Sequence, residues 1–253
     1  GQIYYGLQEG YLKYYYVNQN AKDTIWFNSE GDDLRFLEPD IWYTGENVIN
    51  LKTKQQLLCD KSVFIGELNE KFQLLYLWKG RELYLSNYKG QLIVDHSFRN
   101  LGKFNNAGYA VASVLNEKNE ENWGVVNNKG IWMVLPKYKS AALISNEVIQ
   151  VVNEVGLSGT VNIRDKVLQP FKYTDIRKLD DLTGYATIKE ADGYSVDILS
   201  LKDSRIIKKL PYKTLNKVRI CNGRAYIAAT ENSETILDEA IRESFTDQMK
   251  TAF

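Results

Sequence analysis

A single histidine sets the first limit on the chemistry open to this chain. His96 stands in Asp95-His96-Ser97, the three residue types of an acyl-transfer triad. Consecutive residues of an extended strand point to opposite faces, so these three cannot converge on one reacting atom. The expectation is a surface histidine at a strand end. With one histidine and two distant cysteines, Cys59 and Cys221, no zinc ligand set can be assembled. Each cysteine has apolar neighbours (Leu57 and Leu58; Val218 and Ile220) and reads as a buried free thiol. No metal, no cofactor and no catalytic residue is expected.

Neither phosphate-cradling loop, G-x-x-x-x-G-K-[ST] or G-x-G-x-x-G, occurs in the sequence. Gly156-Leu157-Ser158-Gly159 is read as a turn before a strand. The acidic pairs Asp32-Asp33, Asp180-Asp181 and Glu190 with Asp192 lack the spacing of a calcium loop and are read as solvated loops. The run Asn116–Asn122 is a hairpin tip of mixed sign. A glycosidase needs two carboxylates held across a cleft, which leaves a carboxylate-dependent carbohydrate-active hydrolase, or a carbohydrate-binding module, as the alternative reading. Aromatic side chains carry the remaining functional potential, by stacking on sugars or docking on protein. Tyr14, Tyr15, Tyr16, Trp26, Trp42 and Tyr43 fall outside any repeat phase and are the expected contact surface.

The elements that position these residues are strands. The 253-residue chain holds 17 Tyr, 9 Phe and 5 Trp but only 4 Pro, and it is rich in β-branched residues. Such side chains suit a pleated, half-buried surface. Lys plus Arg number 32 and Asp plus Glu 32, for a formal net charge of zero. Phosphate neutralisation needs a basic excess, so no nucleic-acid partner is expected. No apolar run is long enough to cross a membrane as a helix. Gly1 is an unusual first residue and reads as the scar of a removed upstream segment, a leader peptide among the candidates. The periplasm or cell surface is the expected location.

A tandem period emerges from three landmarks. Gly108-Tyr109-Ala110 recurs 76 residues later, twice 38, as Gly184-Tyr185-Ala186. Asn87-Tyr88-Lys89-Gly90 and Asn127-Asn128-Lys129-Gly130 lie 40 apart between strand-like runs. They predict β-hairpins with Gly90 and Gly130 at positive φ. Pro136 with Tyr138, Pro170 with Tyr173, and Pro211 with Tyr212 close successive units, where Pro is expected to end ladder pairing and begin a connection. Phe98 holds the same aromatic position. Phe98, Tyr138, Tyr173 and Tyr212 are therefore expected to pack between repeats.

The stretch Trp123-Gly124-Val125-Val126-Asn127-Asn128-Lys129-Gly130-Ile131-Trp132-Met133-Val134-Leu135-Pro136-Lys137-Tyr138 resembles the WG-repeat (KWG-repeat) family of bacterial proteins. That family repeats a Trp-Gly strand, a Lys-Gly turn, a second apolar strand and a Pro-Tyr connection. Elsewhere the Trp-Gly slot holds Leu83-Tyr84, Ser158-Gly159 and Tyr194-Ser195. The resemblance implies a repeat module of unknown or binding function.

The expected architecture is all-β: tandem antiparallel hairpin or meander repeats of about 38 residues, arranged as a propeller-like array or an open solenoid, with a short C-terminal α-helix. Residues 1–46 form a diverged repeat or cap and residues 47–232 the array. Residues 233–253 form the amphipathic cap helix, with Leu237, Ile241, Phe245, Met249 and Phe253 on one face. The expected function is a non-enzymatic binding or scaffold module, with an unknown protein or glycan partner. A structural protein that assembles through its edge strands is a third possibility.

Overall fold

Alternating apolar and polar residues fold this chain into short strands joined by tight turns. The computed structural model describes the backbone of residues 2–8, 11–17, 24–27, 34–38, 40–44, 48–50, 52–53, 55–57, 63–178, 182–191, 193–212, 215–221, 224–231 and 234–237. Among the described residues every regular element is a β-strand. The strands group into seven small antiparallel sheets, numbered here in chain order. The all-β architecture of repeated small sheets is as expected. The chain divides into two compact units, residues 1–101 with 128–130, and residues 102–127 with 131–253.

In the first unit, Gln2–Gln8, Tyr11–Val17 and Thr24–Phe27 form the first sheet. The second comprises Leu34–Glu38, Ile41–Thr44, Val48–Asn50 and Gln55–Gln56. The third comprises Val63–Asn69, Leu74–Lys79 and Glu82–Asn87. The last of these is flanked by single bridges from Ser86 to Leu92 and from Leu83 to Phe98. Ile41, Tyr43 and Val48 of the second sheet share one apolar core with Ile65, Leu75 and Leu77 of the third. The boundary expected at residue 46 thus falls inside a sheet, because Tyr43 pairs with Val48 across it.

In the second unit, the fourth sheet contributes Tyr109–Leu115, Glu121–Asn127 and Trp132–Tyr138. The fifth is Ser140–Leu143, Val148–Val152, Ser158–Asn162 and Val167–Tyr173. The sixth is Asp175–Lys178, Thr183–Glu190, Gly193–Ser200 and Ile206–Tyr212. The seventh is Leu215–Cys221, Arg224–Glu231 and Glu234–Leu237. Cores lie between sheets rather than within one. Val125, Val134 and Tyr138 pack with Ile149, Val151 and Val161, and Ile144, Val148 and Tyr173 pack with Ile176, Ala186 and Leu199.

Two expectations change. The C-terminal helix is expected over residues 233–253, but Glu234–Leu237 is a strand paired with Ala228–Glu231. The β-branched Thr235 and Ile236 favour extension beside an available partner strand, which outweighs the four-residue periodicity at that end. The remainder of the expected helix, residues 238–253, lies outside the described residues. The prolines also differ: Pro136, Pro170 and Pro211 lie within the closing strand of a sheet rather than after it. That strand pairs on one side only within its own sheet, so a missing N–H is tolerated there.

One turn recurs. Asn87, Asn105, Asn116, Asn127, Asn153 and Asn162 each donate their backbone N–H to the carbonyl four residues on, at 2.8–3.0 Å. The side-chain Oδ1 of each accepts the backbone N–H of that same residue, and those of Asn87, Asn105, Asn116 and Asn162 also accept the N–H two residues on. The third residue after each Asn is Gly90, Gly108, Asn119, Gly130, Gly156 or Asp165, all with φ between 59° and 83°. This left-handed conformation suits Gly, and Asn or Asp next best.

Candidate functional site

The polar groups that the sheets of the second unit bury are concentrated where one sheet meets the next. The Tyr138 hydroxyl, from the closing strand of the fourth sheet, donates to Asp165 Oδ1 at 2.9 Å. Lys137 Nζ reaches Asp165 Oδ2 at 2.5 Å and lies 5.3 Å from the Tyr138 ring centroid. One sheet later the arrangement repeats. The Tyr173 hydroxyl donates to Asp197 Oδ2 at 2.9 Å, and Lys172 Nζ stands 3.6 Å from that oxygen and 4.8 Å from the Tyr173 ring centroid. Asp197 is buried in the middle of the sixth sheet, with its side chain only 1% exposed. Burying a carboxylate is costly unless it is paired and hydrogen-bonded, and here both partners come from the preceding sheet.

Burial, followed by the Asp165 hydrogen bond, pushes the Tyr138 phenol well above its ordinary range; burial and Asp197 do the same to Tyr173. Each phenol keeps its proton and serves as a donor, which suits a structural tie and not a general base. Around Tyr173 the tie widens. Gln169 Nε2 donates to the Ser204 carbonyl at 2.8 Å, and the Thr160 and Ser204 hydroxyls are 2.7 Å apart. Ser145 Oγ donates to the Leu201 carbonyl at 2.8 Å. Ser204 is itself left-handed, with φ 60°.

The Trp-Gly position also proves geometric. Trp123 pairs with Tyr138 and Val125 with Val134, so three residues, Leu135-Pro136-Lys137, bulge opposite Gly124. In the fifth sheet Ser158 pairs with Tyr173 and Thr160 with Gln169, so Pro170-Phe171-Lys172 bulges opposite Gly159. A Cβ on Gly124 would run into the Val134 carbonyl oxygen, and one on Gly159 would lie 2.9 Å from the Gln169 carbonyl oxygen. In the sixth sheet the register is regular at that point, Ser195 facing Pro211. There a side chain is tolerated.

The repeat-locked aromatics Phe98, Tyr138 and Tyr173 are 1%, 6% and 0% exposed, and all lie in the core. Tyr212 occupies the matching strand position, with its side chain outside the described residues. Gly90 and Gly130 have φ 76° and 71°. Trp42 and Tyr43, expected on a contact surface, are instead buried at 1% and 9% exposed. Ile41-Trp42-Tyr43 opens a strand with all three side chains buried, and an unbroken apolar triplet gives no alternation from which to read the exposed face. Tyr14, Tyr15 and Tyr16 pair with Tyr5, Tyr4 and Ile3, and Trp26 pairs with Tyr15; their side chains lie outside the described residues.

His96 occupies a bend, not a strand end, with its ring edge-on to Phe98 at 5.1 Å and Nδ1 3.7 Å from Asp95. Glu190 accepts the Ser195 hydroxyl at 2.8 Å. Asp32, Asp33, Asp180, Asp181, Asp192 and Cys59 lie outside the described residues, as does the side chain of Cys221. Among the described residues no group of three His, Cys, Asp or Glu could hold a metal ion, and no helix is long and apolar enough to cross a membrane. Sequence reasoning missed the Asp165 and Asp197 ties. Their signal was the Lys-Tyr pair repeating at residues 137–138 and 172–173.

No family model matches the chain, and no curated protein does. Among solved structures, the chain is similar to the WD40 β-propeller domain of Doa1, with 10% identity, 79% of this chain and 77% of that chain covered, and a TM-score of 0.33. Hsv2 of Kluyveromyces lactis overlaps at 12% identity over 90% of this chain and 91% of that one, with a TM-score of 0.38. Oligopeptidase B from Leishmania major overlaps at 10% identity over 92% of this chain and 38% of that one, with a TM-score of 0.41. Overlaps this loose carry no weight for function.

Proposed function

We propose that this chain is a non-enzymatic binding or scaffold module of the WG-repeat kind, acting through protein–protein or cell-envelope contacts. The observation that carries this reading is the use made of the polar groups at the sheet junctions. Asp165 and Asp197, the carboxylates that the second unit draws into its sheet junctions, are each committed to a tyrosine hydroxyl and a lysine of the preceding sheet. That arrangement fixes neighbouring sheets against each other and leaves their turns to display variable side chains. The edges favour recognition over polymerisation: closing strands with a bulge, a proline and a lysine resist pairing with another chain's strand.

The test is a screen of glycoside, ester and peptide substrates with the full chain, run alongside single carboxylate-to-amide variants of its exposed acidic residues. The expected outcome is no turnover above background. Turnover removed by one such change would make the chain an enzyme and overturn the reading.

A further inference from the structure

We draw no further inference here: the strongest candidate, the apolar outer edge of the fourth sheet along its closing strand, where Ile131 and Leu135 are 56% and 61% exposed beside half-buried Trp132 and Met133, carries nothing because nothing in the structure shows what covers it.

Discussion

Tyr173 shows how much one hydroxyl holds in this fold. Its ring is buried in the core shared by the fifth and sixth sheets, and its proton ties it to Asp197 across that junction. Tyr173→Phe keeps the ring and removes the donor, leaving a buried carboxylate short of one partner. The expected loss is roughly 1–3 kcal/mol, read by chemical denaturation. Asp197→Asn, which keeps an acceptor, is expected to cost less than Asp197→Ala. The raised phenol pKa values also set a pH dependence. In the unfolded chain both tyrosines lose their proton near pH 10, while in the fold they still hold it. Their stabilisation is thus fully present below pH 10 and is lost as pH rises beyond that toward the folded values. Thermal midpoints measured from pH 9 to 12 should fall, and Tyr173→Phe should flatten that slope. At Gly124 the constraint is steric. Gly124→Ala forces a methyl against the Val134 carbonyl and is expected to destabilise by about 1–3 kcal/mol, whereas Ser195→Ala, facing a regular register, should be near neutral in the same measurement.

Each Asn-led turn rests on one side-chain oxygen. Asn162→Ala removes the acceptor for the Arg164 and Lys166 N–H groups and is expected to cost about 1 kcal/mol. Asn162→Asp, which keeps the oxygen, should recover most of it; paired thermal melts decide. These turns were legible in the sequence as Asn-Tyr-Lys-Gly and Asn-Asn-Lys-Gly because a Gly three residues after an Asn is a local signal. The turns led by Asn116 and Asn162 were harder to see, since Asn119 and Asp165 take the left-handed position in place of Gly. The repeat beat and the interior position of Phe98, Tyr138 and Tyr173 were equally legible, because periodicity survives divergence. What escaped was non-local. Asp165 and Asp197 find their tyrosines 27 and 24 residues away, and no spacing rule links a carboxylate to the preceding sheet. Trp42 and Tyr43 misled for the opposite reason: in a strand apolar on both faces, sequence shows stickiness without showing what it sticks to. The Glu234–Leu237 strand was hidden beneath a four-residue period whose first turn coincides with β-branched residues.

At the scale of the chain, an array of sheets stabilised by neighbour contacts departs from all-or-none unfolding. Residues 1–101 with 128–130 and residues 102–127 with 131–253 are the two compact units, and tryptophans report on each: Trp42 and Trp78 on the first, Trp123 and Trp132 on the second. Variants retaining only Trp42 or only Trp123, with Phe at the other tryptophans, are expected to give urea transitions with different midpoints. Coincident transitions would show that the chain unfolds as one cooperative body.

The glycine opposite the bulge has a consequence for how such proteins are recognised. If Gly124 and Gly159 are there to make room for a bulged strand, then a Trp-Gly or Ser-Gly pair marks a local irregularity in the ladder and says nothing about what the repeat binds. A sheet with regular register, like the one holding Ser195, has no reason to keep the pair. Tallying Trp-Gly pairs along a related sequence therefore counts bulges, and the number of sheets such a chain folds into will exceed it.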